Sequence, residues 1–360
     1  MPGKKRTSNH VTLADVAKAS GFSASTVSIV LNEAPLSRYV AAKTKEHIRK
    51  TAQKLGYHPD AFARSLRRRR SNTIGVMAFD LSDPFCIPIV RGVETKLHPT
   101  LYLPLLMDAQ NQRKQFEGYV EMLLERRVEG LIVVANWIFA DFNLLADVEK
   151  NNVPVVVVDR DYTARNISSV LVDNEAGGYM AAAHLHKLGH RKIVVIRGPG
   201  ELMDSERRWA GIQRFAQESG LKLDAKLVRQ LPDIVDPYSG FEGGLRLTTE
   251  LLQTKSKFSA ILAFDDLTAL GAVRALRRAG LHVPEDCSVI GFDDILPAAV
   301  SSPGITTIRQ PMEEMGAIAA TWVLKAIEEQ EQGKENKPVL RLLPPALVER
   351  DSTAVYKFRK

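Results

Sequence analysis

The chain has few cysteines for its length, with only Cys86 and Cys287 among 360 residues. They lie far apart and form no CxxC pair, so the sequence excludes a disulfide framework and a redox motif of that type. It also lacks any run of about 18 apolar residues, which a membrane-spanning helix requires. The first ten residues, MPGKKRTSNH, lack the apolar core of a secretory signal. These absences predict a protein of the reducing cytoplasm with no membrane-spanning segment.

Motifs typical of enzymes are also missing. The turn after the first predicted strand, at residues 79–85, has no GxGxxG pattern, and the chain contains no P-loop, HExxH or GxSxG sequence. His184, His186 and His190 fall close together, but their spacing gives no zinc-binding set with other ligands, and we expect them on the surface. We therefore expect no catalytic residue, no metal and no cofactor.

Acidic residues are scarce in the first fifth of the chain. Residues 1–70 hold 15 Lys and Arg against 4 Asp and Glu, a net charge of +11, whereas the whole chain carries +7. Residues 71–360 therefore carry a net charge of −4. A short basic segment on a mildly acidic body predicts nucleic-acid binding by that segment.

Two short helices joined by a tight turn are predicted in residues 11–32, VTLADVAKASGFSASTVSIVLN. Thr12 and Asp15 have the spacing of a capping box, Gly21 permits the turn, and Ser23 is a favourable N-cap for the second helix. The outer face of that second helix is short and uncharged, and it comprises Ala24, Ser25, Ser28 and Ile29. Hydroxyl and methyl groups of this kind can read base edges in the major groove of DNA. The alternative is a helical hairpin within a larger bundle.

A third helix is predicted from about residue 42 to residue 55, and the basic stretch PDAFARSLRRRR follows at residues 59–70. A helix as short as that stretch needs a partner, such as a second copy or DNA, to be stable. Arg64 and Arg67 are placed to contact phosphate. Leu66 is an apolar residue among arginines, and we interpret it as a wedge into the minor groove.

Apolar strand-like runs alternate with amphipathic helical stretches from residue 71 onward. This alternation is typical of parallel sheets with helices on both faces, and about 290 residues suffice for two such units. We therefore predict an α/β core of two doubly wound parallel-sheet subdomains, preceded by an all-α helix-turn-helix domain. Ligands bind such sheets at the carboxyl ends of the strands, so the cleft between the two subdomains is the expected site.

Polar and charged side chains follow several of the predicted strands. Carboxylates, arginines, an amide and an aromatic ring that converge on a cleft can hold a sugar through its hydroxyl groups and its ring face. The residues assigned to this site are Asp83, Phe85, Asp159, Arg160, Arg208, Asp265, Asp293 and Gln310. The alternative is that each aspartate is an ordinary helix N-cap, and we favour that interpretation for Asp266 and Asp294.

Collinear segments along nearly the whole chain resemble the LacI/GalR-type transcriptional repressors. They include TLADVAKASGFSASTVSIVLN and KLGYHPDAFARSL near the N-terminus, and VVVDRD, SERRWAGI and TTIRQP in the core. The resemblance implies a homodimer or a dimer of dimers in which one helix-turn-helix reads each half of a palindromic operator. It also implies a hinge helix, ending at residues 63–66, that folds on DNA. The implied core is similar to a periplasmic sugar-binding protein whose two subdomains the chain crosses three times.

The resemblance also implies functional residues. Asp159, Arg160, Arg208 and Asp293 match positions at which family members hold small effectors, often sugars, and Gln310 lies at the edge of that site. The residues expected to contact DNA are Thr12, Ser23, Ala24, Ser25, Thr26, Ser28, Ile29, Asn32, Tyr57, Ala63, Arg64, Leu66 and Arg67.

Some positions depart from the pattern of the family. The loop at residues 33–40 is longer than usual. Asp265 and Asp83 stand where asparagine is common, which changes the hydrogen-bonding pattern of the expected site. Ile29 stands where a polar residue is frequent, so the operator would be read there by apolar contact.

The predicted function is sequence-specific DNA binding by a transcriptional regulator, expected to be a repressor, under the control of a sugar or sugar derivative. Two alternatives come from other classes of protein. A sugar-binding protein would not need the basic N-terminal segment, and an α/β enzyme acting on a sugar would need a nucleophile or cofactor loop that the sequence does not offer.

Three regions follow from this interpretation: a DNA-binding domain at residues 1–58, a hinge helix and linker at 59–71, and an effector-binding core at 72–360. Within the core, the first subdomain would comprise residues of about 72–170 and 305–335, and the second about 171–304 and 336–360. The expected partners are double-stranded DNA, a small carbohydrate effector and a second copy of the chain.

Overall fold

The chain divides into two compact units, Met1–Ser71 and Asn72–Lys360. The computed structural model describes residues 11–57, 70–135, 151–200, 202–232, 239–254 and 256–357. In the first unit these residues form three helices, and in the second they form two six-stranded sheets with helices packed on them.

The first unit is a small three-helix domain. Its helices are α1 (Leu13–Ser20), α2 (Ala24–Leu31) and α3 (Ala42–Leu55). The side chains at its centre are buried and apolar, and they are Val16, Val27, Val30, Ile48 and Ala52. The predicted loop at residues 33–40 contains a 3-10 helix, Pro35–Tyr39, which begins with the proline because the ring fixes the backbone angle of a first helical turn.

The first sheet of the second unit is entirely parallel. Its strands, in spatial order, are β11 (Leu340–Leu343), β5 (Ser168–Val172), β4 (Val155–Val158), β3 (Gly130–Val134), β1 (Thr73–Ala78) and β2 (Leu103–Asp108). Among the described residues of this subdomain, the helices are α4 (Cys86–Leu97), α5 (Arg113–Glu125) and α11 (Met312–Glu331). Helix α11 packs on α4 and on the central strands, so a late segment of the chain completes this subdomain.

The second sheet repeats the arrangement. Its strands, in spatial order, are β12 (Ala346–Val348), β10 (Thr306–Arg309), β9 (Ser288–Asp293), β8 (Ala260–Ala263), β6 (Ile193–Arg197) and β7 (Val228–Gln230). Strand β12 runs antiparallel to β10, and the other pairings of these strands are parallel. The helices are α6 (Asn174–Lys187), α7 (Met203–Ser219), α8 (Ser239–Gln253), α9 (Asp266–Arg278) and α10 (Leu296–Val300). Helices α6 and α7 pack as one pair, and α8 and α9 as another.

The chain passes between the two sheets after β5, after β10 and after β11. The C-terminal segments differ from the predicted division. Strand β10, predicted within the first subdomain, pairs with β9 of the second sheet, and β11, predicted within the second, pairs with β5 of the first. Each strand has only four residues, too few for an apolar pattern to specify which sheet it joins.

The prediction of surface histidines is wrong for His184 and His190, which are buried. The Nδ1 atom of His190 lies 2.9 Å from the hydroxyl of Ser259, and its Nε2 atom donates to the carbonyl oxygen of Ala354 at 3.1 Å. His184 Nε2 lies 3.0 Å from the hydroxyl of Thr353. Both rings therefore connect the C-terminal segment to the second subdomain. Burial lowers the pKa of both histidines. Residues 353 and 354 are too distant in sequence for helix spacing to predict these contacts.

Across the described ranges, no helix combines the length and the apolar character that crossing a bilayer requires.

Candidate functional site

The turn between α1 and α2 has the predicted capping groups. The backbone N–H of Thr12 donates to Asp15 Oδ2 at 2.8 Å, and the N–H of Asp15 donates to Thr12 Oγ1 at 3.3 Å. Gly21 has a φ of 74°, a left-handed conformation that glycine adopts without steric cost. Ser23 Oγ accepts from the N–H of Thr26 at 3.1 Å, which fixes the start of α2. The hydroxyl groups of Ser23 and Thr26 lie 2.9 Å apart, so the side chains of Thr12, Ser23 and Thr26 all take part in the ends of the two helices.

The outer face of α2 presents small groups to solvent. Ala24 and Ser25 are exposed, and Ser28 and Ile29 are half-buried. The amide of Asn32 donates to the carbonyl oxygen of Ser28 at 2.9 Å and lies 3.2 Å from its hydroxyl, so Asn32 closes the end of the helix. An uncharged helix face of small side chains is of the kind that can enter the major groove of DNA.

The remaining predicted DNA contacts fall after α3. Tyr57 is half-buried and packs against the core of the three-helix domain. Ala63, Arg64, Leu66 and Arg67 lie outside the described residues. In the long loop before α3, Glu33 pairs with Arg49 at 3.0 Å.

A cleft of about 810 Å³, counted with its open mouth, lies in the second unit and is lined by residues of both subdomains. Seven of the eight predicted ligand-binding residues line it, namely Asp83, Phe85, Asp159, Arg208, Asp265, Asp293 and Gln310. Arg160 is not among the lining residues, and its guanidinium lies 5.8 Å from the ring centroid of Tyr162. The strands end at this cleft because parallel strands present their carboxyl ends at the same edge of a sheet.

Arg208, near the start of α7, is held on several sides. Its Nε donates to Asn174 Oδ1 at 2.8 Å and its Nη1 donates to the carbonyl oxygen of Phe264 at 2.7 Å. Its Nη2 lies 3.6 Å from Asp293 Oδ1, and the guanidinium lies 3.6 Å from the ring centroid of Phe292. The side chain is therefore fixed in position before any ligand arrives.

A glycine allows this placement of Arg208. Gly178 on α6 lies directly against the carbonyl group of Arg208 on α7, and a Cβ atom at Gly178 would overlap that carbonyl. The two helices can therefore approach closely only where residue 178 has no side chain.

Gln310 lies where the chain passes from β10 to α11, and only 4% of it is exposed. Its Nε2 donates to Asp293 Oδ1 at 2.6 Å. Its Oε1 is buried and has no hydrogen-bond partner in the described part of the chain. An acceptor buried without a donor costs free energy, so this oxygen is suited to a ligand that supplies one.

Two carboxyl groups meet across the cleft. Asp159 follows β4 in the first subdomain, Asp204 lies at the start of α7 in the second, and their side chains share a hydrogen bond. Burial raises the pKa of both, and the charge of Asp204 raises that of Asp159 further. Burial also raises the pKa of Asp293 well above its ordinary value and that of Asp83 to about 7.

Two of the cleft aspartates have strained backbones. Asp159 has a φ of 74° and Asp293 a φ of 110°, both in the region that glycine normally occupies. Strain of this kind persists only where the surrounding structure imposes it, and it concentrates at functional sites.

The predicted N-cap role of Asp266 and Asp294 is wrong. Asp265, assigned to the ligand, is itself the N-cap of α9 and accepts from the N–H of Thr268 at 2.7 Å. Asp266 is fully buried, where it accepts from Thr307 Oγ1 at 2.6 Å and from the N–H of Ile295 at 2.9 Å, and burial raises its pKa to about 7. Asp294 pairs with Arg309 and Arg350. Asp266 and Asp294, the second aspartate of each pair, thus connect β9, β10 and the C-terminal segment.

Sequence reasoning did not predict several residues of the cleft. Asp204 lies in the first turn of a helix and does not follow a strand, so its position in the sequence did not indicate a place at the cleft. Apolar side chains form the rest of the lining, and they include Phe79, Leu202, Phe264, Leu267 and Ile295. The rings of Phe79 and Phe85 lie 6.5 Å apart at 30°, which gives one wall an aromatic surface. Among the described residues, no three His, Cys, Asp or Glu side chains are placed to hold a metal ion.

Comparisons with known proteins agree with this architecture. The family "Bacterial regulatory proteins, lacI family" matches residues 12–60, and the "Periplasmic binding protein-like domain" matches residues 182–353. The HTH-type transcriptional repressor PurR of Erwinia tasmaniensis is 33% identical over 350 residues, which cover 97% of this chain and 98% of that protein.

Solved structures of regulators have the same fold. A lac repressor dimer bound to operator and the anti-inducer ONPF superposes with a TM-score of 0.81 at 29% identity, covering 96% of this chain and 100% of that one. A complex of the transcriptional regulator CelR with cellobiose superposes with a TM-score of 0.69 at 28% identity, covering 95% of this chain and 100% of that one. These proteins are named as regulators, so the alternatives of an enzyme and of a sugar-binding protein without a DNA-binding domain are set aside.

Proposed function

Because the chain belongs to the LacI family of bacterial regulatory proteins, we propose that it represses transcription from a palindromic operator as a homodimer controlled by a small ligand. It is a DNA-binding repressor of that family, and it acts in the cytoplasm, where bacterial DNA lies. The observation that carries the proposal is the joint presence of an uncharged α2 face on a strongly basic segment and a cleft lined by both subdomains.

The basic segment and the α2 face make different contributions to DNA binding. The net charge of +11 in residues 1–70 supplies attraction to phosphate, which is independent of sequence. Ala24, Ser25, Ser28 and Ile29 read base edges, since hydroxyl and methyl groups make sequence-dependent contacts in the major groove. Leu66, from the hinge segment, acts as a wedge between base pairs.

Exposed apolar side chains in the second unit support a homodimer. Leu103 on the edge strand β2 is 70% exposed, with Leu101 and Leu106 exposed beside it. In the other subdomain, Leu296 and Val300 on α10 are each 73% exposed. A second copy would cover both surfaces, and the lac repressor to which the chain is similar is described as a dimer. A dimer also presents two helix-turn-helix domains, which a palindrome requires.

Ligand control follows from the composition of the cleft. Asp83 and Asp159 belong to the first subdomain, and Arg208 and Asp265 belong to the second. A ligand that contacts both favours one arrangement of the subdomains over another. If only one arrangement lets paired hinge segments fold on DNA, a coupling of about 1–3 kcal/mol changes operator affinity roughly 5–150-fold.

The chemistry of the cleft supports a carbohydrate ligand. Carboxylates accept hydrogen bonds from hydroxyl groups, and the wall formed by Phe79 and Phe85 can pack on a sugar ring. The related regulator CelR is described in complex with cellobiose.

Selection of DNA by the purified full-length protein tests the function. From a random double-stranded library we expect enrichment of one palindromic sequence, bound by two copies of the chain. Leu66→Ala should weaken binding to that sequence and leave binding to unrelated DNA unchanged. Enrichment of a non-palindromic site, or binding of a single copy, would contradict the proposed mode of action.

A further inference from the structure

We infer that the effector is an amino sugar, in which a protonated amine accompanies the hydroxyl groups. The inference rests on the proposed function, because it specifies the ligand of the same cleft. It depends on the charges that line the cleft, on the hydrogen-bonding groups left open there, and on the aromatic wall.

The cleft is acidic to an extent that a neutral or anionic ligand does not need. Its lining in the described residues contains five carboxyl groups and one guanidinium. Arg208 cannot serve an anionic ligand readily, because Asn174, Phe264 and Asp293 already surround it. The guanidinium groups of Arg160 and Arg207 act on Asp204 and lower its pKa, but neither side chain lines the cleft. A phosphate or carboxylate would therefore favour the protonated, neutral form of these carboxyl groups, whereas a cation favours their ionised form.

In their ionised form, the carboxyl groups of the lining are acceptors only. Among the described lining residues, only Arg208 and Gln310 carry side-chain N–H donors, and Gln310 Nε2 already donates to Asp293. The buried Oε1 of Gln310 has no partner within the described residues and requires a donor. An ammonium group has three donors and no acceptor, whereas a hydroxyl group brings acceptors that this lining cannot satisfy equally well.

The aspartates on opposite sides of the cleft lie close enough to influence one another. The charge of Asp265, in the second subdomain, acts on Asp83 in the first, and Asp80 adds to it from the same loop. Asp83 also accepts from the N–H of Phe85 at 2.9 Å, which keeps its carboxyl group at the cleft. A cation placed between Asp83 and Asp265 would remove their repulsion and join the two subdomains.

The ring of the ligand has a surface to pack on. Phe79 and Phe85 line the same cleft, and their rings lie 6.5 Å apart at an angle of 30°. A sugar ring offers an apolar face at the same time as hydroxyl groups along its edge, whereas a simple alkylamine offers no such face. The combination of carboxylates with an aromatic wall therefore favours an amine borne on a sugar.

Proton release is a second consequence of an amine ligand. Burial raises the pKa of Asp83 to about 7, so this carboxyl group is partly protonated at neutral pH, and burial also raises the pKa of Asp159, Asp204 and Asp293. An ammonium group stabilises the ionised carboxylates, and its binding should release protons to the buffer. Binding of a neutral sugar should release fewer protons.

The experiment compares matched sugars by thermal unfolding and calorimetry of the full-length protein. The probes are glucosamine, galactosamine and mannosamine, with their N-acetyl forms, the parent hexoses, hexose 6-phosphates and Mg²⁺. We expect one amine to bind roughly tenfold or more tightly than its N-acetyl and parent forms, with proton release in buffers of different ionisation enthalpy. The inference is overturned if a neutral or phosphorylated sugar binds more tightly than every amino sugar. It is also overturned if only Mg²⁺ stabilises the protein, or if no amino sugar does. The proposed function is judged separately by DNA selection, which requires no ligand.

A pair of variants separates charge from shape. Asp265→Asn removes the charge but can still cap α9, because asparagine is also a favourable N-cap. We expect amine affinity to fall roughly tenfold or more and affinity for the parent hexose to stay the same or rise. Asp224→Asn is the control, since Asp224 is exposed and caps the 3-10 helix Ala225–Leu227 outside the cleft lining. An equal loss for the amine and the hexose in Asp265→Asn would overturn the inference.

Discussion

Asp159 and Asp204 hold a hydrogen bond between the two subdomains, and such a bond between carboxyl groups requires a proton on one of them. The pair belongs to both sides of the cleft, so the protonation state of the cleft is linked to the arrangement of the subdomains. The proton stabilises this arrangement, and its loss leaves two buried negative charges that repel each other.

The first prediction concerns Asp159→Asn. Because the native pKa of Asp159 is raised, the native state binds the proton more tightly than the unfolded state, and stability is lost as pH rises from about 4 through the raised pKa. An asparagine amide donates to Asp204 at every pH. Relative to the wild type, Asp159→Asn should therefore gain unfolding free energy with rising pH, on the order of 1–3 kcal/mol at pH 8.

Urea unfolding between pH 5 and pH 9 measures this difference. Asp224→Asn provides the control, because it removes an exposed carboxylate at a helix start. A difference between Asp159→Asn and the wild type that does not change with pH would show that the bond does not depend on a proton.

The second prediction concerns Arg208→Lys. Lysine keeps the charge but lacks the planar fork that donates to Asn174 and to the carbonyl of Phe264. Ligand affinity should fall by about 1–3 kcal/mol, while operator affinity without ligand stays unchanged. Calorimetry and fluorescence anisotropy measure the two affinities. Arg214→Lys, at a half-exposed arginine of the same helix, is the control, and loss of operator binding in Arg208→Lys would indicate a structural role.

The third prediction concerns the loss of folding stability at acidic pH. The pKa of His184 and His190 is lowered in the native state, so the unfolded state binds their protons more readily. The two histidines therefore contribute their full stability above the pKa of histidine in the unfolded state, about 6.5. This contribution is lost as pH falls below that value, with a slope of up to about 1.4 kcal/mol per pH unit for each histidine.

His190→Gln should reduce this slope between pH 6.5 and pH 5, even where it lowers stability at all pH values. His98→Gln, at an exposed side chain, is the control variant. The same slope in His190→Gln as in the wild type would assign the acid sensitivity to other groups.

The fourth prediction concerns Ser25→Ala on the exposed face of α2. Loss of one hydroxyl should weaken binding to the selected operator by about 0.5–1.5 kcal/mol and leave affinity for scrambled DNA unchanged. Fluorescence anisotropy with both DNAs measures this, and Gln53→Ala on the exposed side of α3 is the control. An equal loss on both DNAs would place Ser25 at the phosphate backbone.

The sequence predicted the strands whose side chains are all apolar, such as β3 and β4, because a short continuous apolar run is typical of a buried parallel strand. Strand β5 was missed because buried Ser168 and Ser169 interrupt the apolar pattern. The hydroxyl of Ser169 accepts from the N–H of Tyr162 at 2.9 Å, a tertiary contact that satisfies the polar group. Strand β11 was missed because three of its four residues are exposed at the sheet edge.

The cleft was predicted in outline, since residues at the carboxyl ends of parallel strands must converge. The role of each aspartate was harder to predict, because Asp265 and Asp266 differ only in the direction of their side chains. Asp265 caps α9 at the cleft and Asp266 points into the core toward Thr307, and tertiary contacts decide between these directions.

The last strands, β11 and β12, have a consequence for how the chain folds during synthesis. One joins the edge of the first sheet and the other joins the edge of the second, although only two residues separate them. Neither sheet is complete until residues 340–348 have left the ribosome, so the two subdomains cannot finish folding one after the other. A stalled chain that ends before β11 would expose an open edge on both sheets, and each edge would be a site for aggregation.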